Sequence, residues 1–159
     1  MKATSLYLMI AFLLIGLGAN ATVHRVNNTS GIDADFNNIS TAISSASAGD
    51  TLYVEGSATS YGTMSLNKEL TVIGPGYFLT ENDTTQAYQQ SAQFGAINFQ
   101  SGSSGSVISG LHVQNGRITI QTNDIVVQRC HIYYTSTSYN LQVYSNVSNV
   151  LITQNFIHN

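Results

Sequence analysis

Charged residues, cysteine, proline and tryptophan are all scarce in this sequence. Lys, Arg, Asp and Glu make up 8% of the 159 residues, whereas they make up about 25% of a typical soluble domain. The 5 basic residues and a formal net charge of −3 offer no basic surface, so we expect no nucleic-acid partner. A helical bundle is also disfavoured, because bundles are rich in Glu, Lys, Ala and Leu.

The single cysteine, Cys130, has no second cysteine with which to form an intramolecular disulfide. No such bond can therefore stabilise the fold. We predict that Cys130 is a small buried apolar residue and not a reactive thiol.

Serine, threonine and asparagine, with 19, 16 and 15 residues, take the place of the missing charge. Hydrophobic residues make up 43% of the chain, an ordinary share for a globular domain, which argues against a disordered chain. The composition therefore predicts one β-rich domain whose surface is covered by hydroxyl and amide groups.

Residues 1–21 have the pattern of a secretory signal peptide. Lys2 gives a basic start, an apolar run extends over 6–17, and Ala19-Asn20-Ala21 forms an A-x-A cleavage site. The apolar run is too short for a comfortable membrane span. We therefore expect residues 22–159 to be secreted or placed at the cell surface, with no membrane span after the signal is removed.

One amphipathic helix is predicted over about residues 35–48. Its apolar stripe has helical spacing and consists of Phe36, Ile39, Ala42, Ile43 and Ala46. Asp33 or Asp35 is expected to cap its start, and Gly49 to end it. The Asp33-x-Asp35 pair could instead begin a calcium loop, but the glycine and glutamate that such a loop requires are missing, so capping is preferred.

From Asp50 onward the apolar period changes from helical to two. Segments 108–113, 127–132 and 152–157 align without gaps, and each has apolar residues at its first and last positions. An alternating strand precedes each segment, with the apolar pairs Ile97/Phe99, Ile118/Ile120 and Leu141/Val143. A repeat of roughly 20–25 residues without helix indicates a β-solenoid.

The same register extends toward the N-terminus through Met64/Leu66 and Leu70/Val72, and it gives an all-β fold of about four coils. The polar stretch 80–94 is expected to be a surface loop inserted in one coil. Equal charges stacked in neighbouring coils would repel each other, so the solenoid explains the low charge. Asn155 takes an inward position, where its side chain can bond the turn backbone of adjacent coils.

Three motifs together resemble the start of right-handed parallel β-helix proteins of the pectin-lyase-like superfamily, in particular the secreted bacterial type. They are the helix with the strand Gly-Asp-Thr-Leu-Tyr-Val at 49–54, Leu-Thr-Val-Ile-Gly-Pro-Gly at 70–76, and Val-Ile-Ser-Gly-Leu at 107–111. The resemblance covers 22–159 and implies a right-handed parallel β-helix whose N-terminal end is capped by the helix. Because the chain ends directly after an apolar segment, we expect further coils to follow and 22–159 to be the N-terminal part of the domain.

Two functions are compatible with the resemblance: a non-catalytic role, and the catalysis of the superfamily's enzymes. Enzymes of the superfamily cleave acidic polysaccharides, with Ca²⁺ and a basic residue in lyases or with paired carboxylates in hydrolases. Residues 95–159 contain a single acid, Asp124, so we expect no catalysis by this segment, no metal site and no cofactor. Ca²⁺ would be required only if the protein were a lyase. The alternative is the N-terminal part of a lyase, epimerase or hydrolase that acts on acidic polysaccharide.

Two groups of outward residues are candidate glycan-binding positions. Amides, hydroxyls and a tyrosine, which suit stacking and neutral hydrogen bonds with sugars, are found at Asn98, Gln100, Thr119, Gln121, Gln142 and Tyr144. The second group, which could face a uronate, comprises Arg117, Arg129 and His131, with His112 and Phe156 in the same outward column as His131. Both groups could also be ordinary polar residues of exposed strands.

From these observations we expect a non-catalytic, adhesin-like or structural β-helix protein. Its expected partner is an extracellular polysaccharide or a cell-surface glycan.

Overall fold

The computed structural model describes residues 21–81, 88–135 and 139–158, so the predicted signal peptide, apart from Ala21, lies outside the described residues. Within these ranges the chain is mostly β-structure, with one α-helix, α1 (Ile39–Ser45), and one 3₁₀ turn (Leu79–Glu81). The strands of these ranges form three sheets, and they pair in parallel.

We number the sheets in the order in which a full turn of the chain visits them. The first sheet contains, in spatial order, β1 (Val23–Val26), β2 (Thr51–Val54), β4 (Thr71–Ile73), β7 (Val107–Ser109), β10 (Ile125–Gln128) and β13 (Val150–Thr153). The second contains β5 (Gln93–Phe94), β8 (His112–Gln114), β11 (His131–Tyr133) and β14 (Phe156–His158). The third contains β3 (Thr63–Leu66), β6 (Ala96–Phe99), β9 (Ile118–Ile120) and β12 (Leu141–Val143).

The strand register confirms the gapless alignment of the three repeated segments. In the first sheet Val127 lies between Ile108 and Ile152, and in the second sheet Ile132 lies between Val113 and Ile157. Short parallel strands stacked in register on three faces are consistent with a parallel β-helix.

The core is a set of ladders made by the inward residues of neighbouring strands. In the third sheet Met64, Ile97 and Ile118 form one ladder, and the next ladder contains Leu66, Phe99 and Ile120. All six side chains are fully buried. Inward and outward side chains alternate along each strand, so the interior is apolar and the exterior is rich in hydroxyl and amide groups.

Helix α1 is shorter than the predicted span 35–48, and the predicted caps Asp33 and Asp35 are wrong. Asn38 is the N-cap, and its Oδ1 accepts hydrogen bonds from the backbone N–H groups of Ser40 (2.8 Å) and Thr41 (3.3 Å). Asp35 instead accepts a bond from the backbone of Arg25. The reason is that residue 36 still pairs with β1 in an isolated bridge, so the helix begins only after it.

The stretch 80–94 contains more regular structure than a surface loop. It begins inside the 3₁₀ turn, and its last two residues form β5, in which Phe94 is fully buried beside Val113. Ala92 is also fully buried. The chain therefore rejoins the core about two residues before the predicted end of the loop, because Phe94 fills an inward position. Residues 82–87 lie outside the described residues.

The predicted role of Asn155 is confirmed. Its Oδ1 accepts a hydrogen bond from the backbone N–H of Cys130 (2.8 Å), and its Nδ2 donates to the carbonyl of Val127 (2.9 Å). Cys130 is a free, buried cysteine, as predicted. Burial raises the pKa of its thiol to about 11, so it remains a thiol at neutral pH.

Replacing Asn155 by alanine should destabilise the fold. The backbone N–H of Cys130 and the carbonyl of Val127 would lose their side-chain partner, and an unsatisfied buried group costs about 1–3 kcal/mol. Urea unfolding followed by circular dichroism measures this change. Ser145→Ala, at an exposed position, serves as the control. Equal stability of the two variants would contradict the bridging role.

Ile120→Asp should abolish folding, because it buries an unpaired carboxylate in the third-sheet ladder. Gln121→Asp, one residue further on at an exposed position, should fold normally. Far-ultraviolet circular dichroism and thermal melting of both variants check the result. A soluble Ile120→Asp protein with the same β-signal would show that the inward register is wrong.

Candidate functional site

The structure brings seven of the nine predicted site residues together at the third sheet. Register places Asn98, Thr119 and Gln142 in one row, and Gln100, Gln121 and Tyr144 follow at the ends of the same strands. Nη1 of Arg117 lies 3.4 Å from Oε1 of Gln142. Thr119 is buried and Asn98 is half-buried, so exposed hydrogen-bonding groups are found mainly at the strand ends.

The other two predicted residues lie elsewhere. His131 is on the outer face of the second sheet, and Arg129 lies at the corner between the first and second sheets, where it has a positive φ of 51°. Nε of Arg129 donates to Oε1 of Gln154 at 2.9 Å. The predicted residues therefore occupy two different faces of the molecule.

A cluster of aromatic and imidazole rings covers the outer face of the second sheet, and we call it the ring cluster. Its members are Tyr77, Phe78, His112, His131, Tyr133, Phe156 and His158. Strand pairing places His112, His131 and Phe156 in one row, as the sequence predicted. Sequence reasoning missed Tyr77 and Phe78, for which the only available signal was the Pro75-Gly76 turn just before them.

The three histidines contact one another through their rings. His112 and His131 stack with centroids 4.4 Å apart and planes inclined by 7°. Nε2 of His131 lies 2.8 Å from Nε2 of His158, so one of these two nitrogens donates a hydrogen bond to the other. Nδ1 of His112 lies 3.2 Å from Oγ of Ser91.

Burial and the repulsion between neighbouring charges keep the imidazoles of His112 and His131 uncharged at neutral pH. Burial lowers the pKa of His112, and the neighbouring charge of His158 lowers it further. For His131 burial, followed by the charges of His112 and His158, lowers the pKa to about 4. Both rings therefore provide neutral hydrogen-bonding groups and flat surfaces.

The aromatic members extend this surface on the side of the first sheet. The ring centroid of Tyr77 lies 5.8 Å from that of His131, and that of Phe78 lies 5.0 Å from that of Phe156. Phe78 and Phe156 are each 40% exposed. The hydroxyl of Tyr77 donates to the carbonyl of Gln154 at 3.3 Å, which ties the turn to the stack.

A cleft of about 200 Å³ opens beside the ring cluster. Its ring-bearing lining residues are Tyr77, Phe78, His112 and His131, and its remaining lining residues are Leu79, Thr80, Gln89, Gln90 and Ser91. This combination of flat rings with amide and hydroxyl groups suits a ligand with an apolar face and a hydroxyl-bearing edge.

The carboxylates of Asp124 and Asp50 have structural partners. Asp124 accepts hydrogen bonds from Asn149 and Ser104, which lower its pKa. Asp50 accepts bonds from the backbone of Thr22 and Ser47, which likewise lower its pKa. Among the described residues, no group of three or more His, Cys, Asp or Glu is arranged to hold a metal ion.

Compared with models of known protein families, with curated proteins and with solved structures, the chain has no match. The fold is therefore defined by its strand pairing, and the site by its own geometry. None of the helices in the described part of the chain is long and apolar enough to cross a membrane.

Acidification should destabilise the wild type more than His131→Gln. An unfolded histidine binds its proton at pH near 6.5, whereas folded His131 binds it only near pH 4. Between these values the unfolded state binds more protons, so the free energy of unfolding falls as pH falls from about 6.5 to 4. Urea unfolding at intervals of pH measures it. Identical pH profiles for the two proteins would contradict this assignment.

Proposed function

We propose that this chain is an exported or cell-surface protein that binds a glycan without cleaving it, and that its sheets form a right-handed parallel β-helix of the pectin-lyase type with about four coils. The stacked parallel strands, the helix near the N-terminus and the signal-like segment 1–21 support this proposal. The observation on which it depends is the cleft beside the ring cluster.

The cleft has the two kinds of group that sugar recognition uses. The exposed ring of Phe78, which lines the cleft, can stack on the C–H face of a pyranose, which removes apolar surface from water. The amides of Gln89 and Gln90 and the hydroxyl of Ser91 can donate to and accept from sugar hydroxyls.

The chemistry of the lining favours binding over cleavage. Among the described residues that line the cleft there is no Asp, Glu, Lys or Arg, whereas hydrolysis uses paired carboxylates and lyases use a base beside a neutralised uronate. His131 is a weak base, because its pKa is lowered to about 4. These described residues would therefore offer a bound sugar hydrogen-bonding groups and rings but no strong acid or base.

A second candidate function is the N-terminal part of a lyase, epimerase or hydrolase that acts on acidic polysaccharide. The observation that favours it is the position of Arg129, which bonds the side chain of Gln154 while Tyr77 bonds the carbonyl of the same residue. A uronate stacked near Tyr77 could reach this guanidinium. Cleavage would require acid or base groups from outside the described residues.

Tyr77→Ala should weaken glycan binding at least tenfold, because it removes one wall of the cleft. A glycan array identifies the bound sugars, and calorimetry with the best of them measures affinity. Tyr144→Ala removes an exposed tyrosine of the third sheet and should leave the affinity unchanged.

Two results would contradict the proposal. Loss of binding in Tyr144→Ala but not in Tyr77→Ala would place the site on the third sheet, and the absence of any bound glycan would reject the function itself. Release of an unsaturated uronate from polygalacturonate or alginate would favour the second candidate.

A further inference from the structure

Two further cavities continue from the cleft toward the N-terminal end of the first sheet. The nearer one, of about 270 Å³, shares the lining residue Gln90 with the cleft. The farther one, of about 380 Å³, shares Asn27, Glu55 and Tyr88 with the nearer cavity. Because neighbouring cavities share lining residues, the three lie next to one another in a row.

This row follows the direction in which the strands stack. Arg25 on β1 pairs with Tyr53 on β2, and the cavities lined by these residues form one end of the row. His131 on β11 lines the cavity at the other end of the row. Strand β11 directly follows β10, and β10 lies four strand spacings from β1 in the first sheet. With strands ~4.8 Å apart, the row is ~19 Å long.

The walls of the two added cavities repeat the chemistry of the cleft. Tyr53 and Tyr88 are 40% and 53% exposed, and with Pro75 they provide flat apolar surface. Asn27 and Gln90 provide amides.

The charges in this part of the row are internally paired. One carboxylate oxygen of Glu55 lies 2.7 Å from the guanidinium of Arg25, and the other accepts a hydrogen bond from Asn27 at 2.8 Å. Within the described part of the chain, Arg25 is the only Lys or Arg that lines any of the three cavities. The guanidinium is thus engaged, while the oxygens of Glu55 can still accept bonds from hydroxyl groups.

We propose that the three cavities form one groove for a neutral, linear oligosaccharide that lies along the stack, with a second binding subsite at Tyr53 and Tyr88. The inference rests on the proposed glycan-binding function, because the cleft beside the ring cluster holds the other end of the chain. A neutral chain is favoured over a polyuronate, because the described lining residues offer stacking surfaces and amides, and the guanidinium of Arg25 among them is already paired with Glu55.

The test compares short and long oligosaccharides by calorimetry, with disaccharides and hexasaccharides of the cellulose, xylan and β-mannan series and with a hexagalacturonate. The wild type should bind one neutral hexasaccharide at least tenfold more tightly than its disaccharide. Tyr88→Ala should remove this advantage and leave the disaccharide affinity unchanged, whereas Tyr139→Ala, which removes an exposed tyrosine outside the three cavities, should keep both affinities. Circular dichroism verifies that each variant is folded.

Several outcomes would overturn the inference. Equal affinity for both chain lengths, or an equal loss for both lengths in Tyr88→Ala, would show that the ligand does not reach the second subsite. Preference for the hexagalacturonate would identify an acidic ligand, with Arg129 as its expected contact. If Tyr77→Ala weakens binding while chain length has no effect, only the inference fails; if no glycan binds, the proposed function fails with it.

Discussion

Parallel stacking in register is the constraint on which the rest of this structure depends. It places each side chain ~4.8 Å from the residue at the same position in the neighbouring strands. A side chain at one position must therefore be compatible with the side chains stacked directly above and below it. Apolar ladders such as Met64, Ile97 and Ile118 satisfy this condition inside, and hydroxyl and amide groups satisfy it outside. Carboxylates such as Asp50 and Asp124 lie next to strands and not within them, where backbone and side-chain donors hold them.

The same constraint shapes the chemistry of the candidate site. Because His112 and His131 occupy equivalent positions in adjacent strands, their rings stack, and the two rings cannot both be protonated without repelling each other. Together with burial, this makes the pair a neutral, flat surface. Its neutrality agrees with the proposed groove, in which the charge of Glu55 is balanced by Arg25.

The parts of the fold that repeat could be predicted from the sequence, and the parts that do not repeat could not. Alternation with a recurring spacing was sufficient to align 108–113 with 127–132 and 152–157 and to place Asn155 inside. The helix start was wrong because several polar residues near it can each act as a cap, and only the bridge at Phe36 decides among them. Tyr77 was missed because its partner Gln154 is 77 positions away and belongs to no repeating pattern. The alignment of strands predicts which residues form a row, but it does not predict on which face a corner residue such as Arg129 lies.

One connection, between β4 and β5, supplies Tyr77, Phe78, Tyr88 and Gln90 to the proposed groove. The ladders beneath it are fixed by strand pairing, and of the connection's own residues Leu79 and Ala92 are buried in the core. The buried positions of this connection therefore serve the fold, while its exposed positions shape the proposed groove. Substitutions at the exposed positions can alter that groove and leave the core unchanged.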